Sequence, residues 1–226
     1  MKKRIGIGIG IVLILLIGGM LIYLNQAYEA DNIAQDVFEE ASYTQDGYTV
    51  FESSDSTIGF IFYPGAKVEP QSYSPLLKKL SNEGLTAVLV EMPFNLAIFN
   101  NDAAKQIIED MPQIEQWFIG GHSLGGAMAS SYAASNENQL DGLVLLGAYA
   151  MEELTIPSIA IYGSEDLVLS RDKLALTKNQ FEIPGGNHAY FGNYGEQEGD
   201  GKATITHEQQ QNITVEKIKQ FIFGNL

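Results

Sequence analysis

The stretch Gln116-Trp117-Phe118-Ile119-Gly120-Gly121-His122-Ser123-Leu124-Gly125 decides the fold. An apolar, strand-forming run ends in a glycine pair, and Leu124 to Ala134, rich in Gly, Ala and Ser, then has the composition of a helix that sits close against a sheet. At the junction stands Gly121-x-Ser123-x-Gly125. A serine on so tight a strand-to-helix turn has a strained backbone, and small residues two before and two after it relieve the crowding. The turn lifts the hydroxyl to a helix N-terminus, where the dipole and free N–H groups favour negative charge. A glycine-rich structural turn carries the same pattern, so the motif takes its weight from its surroundings.

Those surroundings alternate strand and helix. Tyr48 to Glu52 and Thr57 to Tyr63 are β-branched and aromatic, and Ser53-Ser54-Asp55-Ser56 between them reads as a hairpin turn entering a sheet. Ser74-Pro75 starts a helix with Leu76, Leu77 and Leu80 on one face, and Gly84 closes it. Leu85 to Val90 is continuously apolar, as a strand covered on both faces must be. A helix over Asp102 to Met111 precedes the elbow; strands over Gly142 to Leu146, Ser158 to Tyr162 and Asn179 to Ile183 follow it. Thr206 with Gln209 three residues on is a capping-box pattern, opening a last helix with Ile218, Phe221 and Ile222 inward and Gly224 at its end. The fold class is α/β, a mostly parallel open sheet with helices on both faces, in which ligands bind at the carboxyl ends of the strands.

A serine hydroxyl needs a base to take its proton, and the chain offers three histidines. His122 lies inside the elbow beside the serine and should point away; His207 sits at a polar helix start. His188, in Pro184-Gly185-Gly186-Asn187-His188-Ala189-Tyr190-Phe191-Gly192, follows the last strand at the same sheet edge as the elbow, and is the expected base. The acid that fixes its tautomer belongs in the loop after the preceding strand, where Glu165 and Asp166 both stand. Asp166 is preferred, because its shorter side chain can turn back toward the histidine loop, with Glu165 as the alternative. The catalytic set read from sequence is therefore Ser123, Asp166 and His188.

In this order, nucleophile then acid then histidine, with the elbow after the third parallel strand, the chain resembles the α/β-hydrolase superfamily. Phe62 to Val68, Glu91 to Ala97 and Asn187 to Gly195 are similar to a compact bacterial branch of dienelactone-hydrolase-like proteins. In that superfamily the loop after the first parallel strand often begins His-Gly and donates the second oxyanion N–H. Here it reads Tyr63-Pro64-Gly65-Ala66, and proline has no N–H, so the resemblance points to the amides of Ala66 and Leu124 as donors, with Gly65 as an alternative to Ala66. Many members insert a helical lid before the acid strand, whereas Gly147 to Ile156 leaves a short connection, which implies an uncapped site. Tyr63, Phe94, Tyr149 and Tyr190 are candidates to line it. Glu91 reads as a strand-end residue, and Asp200 as a turn residue outside any calcium-loop pattern. No metal and no organic cofactor is expected.

Composition narrows the partners. The chain has 226 residues, 13 Lys plus Arg against 28 Asp plus Glu, a net charge of -15, and no cysteine. Nucleic acid would meet repulsion, and disulfides, thiolate metal sites and a cysteine nucleophile are absent.

At the N-terminus, Met1-Lys2-Lys3-Arg4 precedes Ile5 to Leu24, twenty uncharged residues that would span about 30 Å as a helix. The charge order puts the N-terminus in the cytoplasm and the rest outside. A cleavable signal peptide competes, but the run is long for one and no small-x-small site follows it, so an uncleaved anchor fits better. The expected organisation is thus 1–24 as a transmembrane anchor, 25–46 as a stalk or first helix, and 47–226 as the α/β domain.

The expectation is a single-pass cell-membrane protein whose extracytoplasmic domain is a serine hydrolase cleaving a carboxylic ester or related acyl bond, its substrate a small molecule or a surface-linked acyl group. An acyltransferase would use the same residues, and a non-catalytic scaffold would keep the fold. The oligomeric state is left open.

Overall fold

The computed structural model describes residues 18–19 and 26–224. An eight-stranded sheet runs through it in the order β1-β2-β4-β3-β5-β6-β7-β8, with β1 Tyr43–Gln45, β2 Tyr48–Phe51, β3 Ile58–Tyr63, β4 Thr86–Val90, β5 Gln116–His122, β6 Gly142–Leu146, β7 Ser158–Gly163 and β8 Asn179–Ile183. All pairings from β4 through β8 are parallel; β1 and β2 are antiparallel to each other, and β2 to β4. Five α-helices accompany the sheet among the described residues: α1 Asn32–Phe38, α2 Ser74–Asn82, α3 Ala103–Asp110, α4 Leu124–Ser135 and α5 His207–Phe223.

Strand periodicity divides the core in two. Phe60 and Phe62 of β3 face one side with Leu76, Leu77 and Leu80 of α2 and Ile218, Phe221 and Ile222 of α5. Ile61 and Tyr63 face the other with Ala104 and Ile107 of α3 and Ala129, Tyr132 and Ala133 of α4. Every residue of β4 and β6 is buried, which accounts for their unbroken apolar runs. Helix α5 opens on a complete capping box, Gln209 N–H donating to Thr206 Oγ1 at 3.2 Å and Thr206 N–H to Gln209 Oε1 at 2.9 Å.

One expected pairing is wrong. Strands 48–51 and 58–63 form no hairpin, because the crossover through α2 inserts β4 between them, pairing Val50 with Val88 on one edge and Ile61 with Val88 on the other. The fully buried β4 needs a partner on both edges, and β2 supplies the second. The actual hairpin joins β1 to β2 through Asp46-Gly47, with Gly47 at φ +88°.

The segment read as a stalk or first helix holds a helix that packs on the domain. Asp31 caps α1, its Oδ1 accepting from Ala34 N–H at 2.8 Å, and Ala30 and Ala34 are buried. Tyr28 bridges to Val68. Among the described residues no helix is long and apolar enough to cross a membrane; the expected span lies outside the described residues apart from Gly18 and Gly19.

Candidate active site

Ser123 occupies the junction of β5 and α4 at φ 52°, ψ -122°, a region that costs a non-glycine residue energy. Its neighbours explain the motif. A Cβ on Gly125 would lie 2.3 Å from the carbonyl oxygens of Tyr63 and Pro64, and one on Gly121 2.6 Å from the Tyr63 carbonyl oxygen. The elbow thus presses against the strand-end loop Tyr63–Ala66, and Ser123 N–H is anchored to the Leu146 carbonyl at 3.0 Å. Ser123 and Leu124 are partly exposed.

The loops after β7 and β8 bring Asp166 and His188 together. His188 Nδ1 donates to Asp166 Oδ2 at 2.8 Å, and both side chains are buried. Asp166 Oδ1 accepts from Val168 and Leu169 N–H, each at 2.9 Å, which holds the carboxylate in one orientation. Glu165 instead accepts from the Ser164 hydroxyl at 2.9 Å. With its proton on Nδ1, His188 presents a lone pair at Nε2, a buried atom with no hydrogen-bond partner among the described residues, the Ser123 hydroxyl included. Gly147 packs against the pair, where a Cβ would meet His188 Nδ1 at 2.9 Å and Asp166 Oδ2 at 3.2 Å.

The structure adds residues that the sequence reading left out of the site. His122 points into the protein, its ring 4.4 Å from that of His188, and its Nδ1 lies 2.8 Å from the Tyr73 hydroxyl. That hydroxyl also accepts Gly65 N–H at 3.1 Å, so its own proton goes to His122 Nδ1. Burial, reinforced by His188 and partly opposed by the His188 backbone, lowers the His122 pKa well below the ordinary histidine value, which keeps it neutral. Gly65 N–H is therefore engaged, while among the described residues the amides of Ala66 and Leu124 donate to no protein acceptor.

His188 is also held from both sides along the chain. The buried carboxamide of Gln210 accepts from Asn187 N–H at 3.0 Å and donates to the Asn187 carbonyl at 2.8 Å. Asp200, read from sequence as a turn residue, accepts Ala189 N–H at 2.9 Å. His207, at the start of α5, stacks on Tyr190 with centroids 3.5 Å apart. Nothing in the sequence marks Gln210 among three consecutive glutamines: Gln211 is buried as well, and packing alone aims one at Asn187 and the other at Asn193.

Of the aromatic candidates, Tyr63 does not line the site. It is fully buried, donating to the Asn101 carbonyl at 2.6 Å and accepting Ala104 N–H at 3.0 Å, and burial raises its pKa. Phe94 is 45% exposed, at φ 56°, and meets Phe99 edge to face. Tyr149 accepts from Lys173 Nζ at 3.1 Å. The connection 147–157 contains no helix. Among the described residues no cluster of three or more His, Cys, Asp or Glu is arranged to hold a metal.

A mostly parallel sheet with a serine elbow after its third parallel strand and an Asp–His pair in the loops after its last two strands defines the α/β-hydrolase class. Residues 59–212 match the model of the Alpha/beta hydrolase family, and the chain belongs to that family. Its fold is shared with a dienelactone hydrolase from Anabaena variabilis at 15% identity and a TM-score of 0.54, covering 78% of this chain and 90% of that one. Est1E from Butyrivibrio proteoclasticus matches at 13% and 0.58, with coverages of 79% and 93%. A monoacylglycerol lipase from Paleococcus ferrophilus matches at 14% and 0.59, with coverages of 77% and 98%. No curated protein matches the sequence.

Proposed function

We propose that this chain is a membrane-anchored, extracytoplasmic serine hydrolase that cleaves a carboxylic ester or related acyl bond through an acyl-enzyme. The observation that carries the reading is the buried Asp166–His188 pair at 2.8 Å, with His188 Nε2 unpartnered among the described residues beside an elbow that holds Ser123 at φ 52°. A monoacylglycerol lipase and a dienelactone hydrolase among the structural neighbours lend support to ester chemistry.

In this mechanism Ser123 Oγ attacks the acyl carbonyl as His188 Nε2 takes its proton, and Asp166 stabilises the imidazolium. The N–H groups of Ala66 and Leu124 receive the oxyanion, aided by the N-terminus of α4. Collapse breaks the bond to the leaving group, which takes the proton from His188 and departs. Water, deprotonated by His188, then attacks the acyl-serine; its proton returns through His188 to Ser123 and the acid is released. Anchoring and sidedness rest on the run Ile5 to Leu24 with Lys2, Lys3 and Arg4 before it.

The test is labelling of the full chain by a fluorescent fluorophosphonate, beside Ser123→Ala and His188→Ala proteins shown by circular dichroism to be folded. Labelling lost in both variants is the expected result. An unlabelled, well-folded parent overturns the serine mechanism.

A further inference from the structure

The exposed apolar side chains are not spread evenly. Of nine large hydrophobic residues exposed among the described residues, six stand in loops that leave the carboxyl ends of strands: Phe94, Ile98 and Phe99 after β4, Met151 after β6, and Leu167 and Val168 after β7. These loops belong to the sheet edge at which Ser123 opens, and Leu167, at 73% exposure, is the most exposed of the nine. An apolar rim of this kind around a strand-end cleft marks contact with something apolar.

The path of the chain says what that is. Tyr28 N–H donates to the Lys67 carbonyl at 2.6 Å, and Lys67 N–H donates to the Asn95 carbonyl at 2.8 Å. The start of the domain is therefore tied to the same loop that displays Phe94, Ile98 and Phe99. The apolar run ends at Leu24, four residues before Tyr28. Four extended residues reach about 14 Å at most, so a bilayer holding that run lies within this distance of the site edge.

We propose that the carboxyl edge of the sheet lies on the surface of a phospholipid bilayer, with the Phe94–Phe99 and Leu167–Val168 loops inserted and the Ser123 opening turned toward lipid. The proposal rests on the anchor part of the function above. Glu91, Asp102, Glu152, Glu153 and Glu165 occupy the same loops or their borders, so contact is driven by apolar insertion and favours zwitterionic over anionic lipid. An acyl group reaching Ser123 then comes out of the bilayer surface rather than from bulk water.

The absence of native cysteine makes a direct test clean. Phe99→Cys, Leu167→Cys and Phe223→Cys proteins, each full length, are labelled with an environment-sensitive nitrobenzoxadiazole dye and reconstituted into phosphatidylcholine vesicles with or without doxyl-labelled lipid. Phe223 serves as the control: it is exposed, and its ring reaches to 3.7 Å from a Cβ on Gly84, which precedes the amino end of β4. The expected result is quenching by about twofold or more at positions 99 and 167 and none at 223. Equal quenching at all three, or none at 99 and 167, overturns the orientation. A blue shift there without lipid quenching assigns the rim to a protein contact and also overturns it. Chain that does not float with the vesicles sinks the anchor reading and this proposal with it, whereas chain that floats unquenched sinks the orientation alone.

Discussion

The rings of His122 and His188 pack with centroids 4.4 Å apart and planes tilted by 48°. One is bound to Asp166 and the other to Tyr73, so the elbow and the histidine loop meet through two imidazoles, each fixed by a different oxygen. A proton on His122 would sit buried beside His188, and its lowered pKa expresses that cost.

This arrangement makes stability depend on acid. The unfolded chain takes up a proton at the His122 position below about pH 6.5, while the folded chain refuses it. The contribution is complete above that pH and is lost as pH falls toward the lowered folded value, at up to about 1.4 kcal/mol per pH unit. Urea unfolding at pH 7.5 and 5.5 should show the parent losing roughly 1 kcal/mol more than His122→Gln, which has nothing to titrate there. Equal losses would mean that His122 carries a proton in the folded state.

Tyr73→Phe keeps the ring and removes the hydroxyl that joins Gly65 N–H to His122 Nδ1. Both groups are left buried and unpaired, which should cost about 2 kcal/mol in urea unfolding. Because Gly65 sets the position of Ala66, kcat for an ester should fall more than KM rises. A variant as stable as the parent would show that water replaces the hydroxyl.

Asp166→Asn should leave the fold intact and lower ester turnover by about a thousandfold or more, since an amide does not hold the Nδ1–H tautomer of His188 or balance its positive charge. Glu165→Gln, whose parent carboxylate bonds Ser164 rather than the histidine, should stay within about twofold. Comparable losses in the two proteins would remove Asp166 from its proposed role.

Gln210→Ala deletes two buried hydrogen bonds to the Asn187 backbone. Stability should drop by about 2–3 kcal/mol, and fluorophosphonate labelling of the variant that remains folded should slow, because the residue before His188 is no longer clamped. Unchanged labelling with reduced stability would limit Gln210 to a structural role.

The local chemistry of the chain carried much of this. Glycines two either side of Ser123, unbroken apolar runs in β4 and β6, and Thr206 followed by Gln209 act within a few residues of themselves, and backbone sterics and hydrogen-bond supply have the same consequence wherever the chain is placed. Side-chain length favours Asp166 over Glu165, and Asp166 is the carboxylate that bonds His188. The expected hairpin fails for the converse reason: β propensity marks a strand without naming its partner, and the buried β4 takes the edges of β2 and β3 that a turn over residues 53–56 would have joined.

Long-range contacts settled the rest. Tyr73 and His122 are 49 positions apart and Asn187 and Gln210 are 23, and no spacing rule links either pair. Gln210 and Gln211 are read alike in the chain, yet one holds Asn187 and the other Asn193. Residues 25–46 read equally as a stalk or a first helix, and the bonds of Asp31 to Asn193 and Tyr28 to Lys67 show that the segment packs on the domain. Sequence periodicity carries the alternation of strand and helix because each element buries one face; which polar groups are sealed beneath the site depends on where those faces meet, and only packing establishes that.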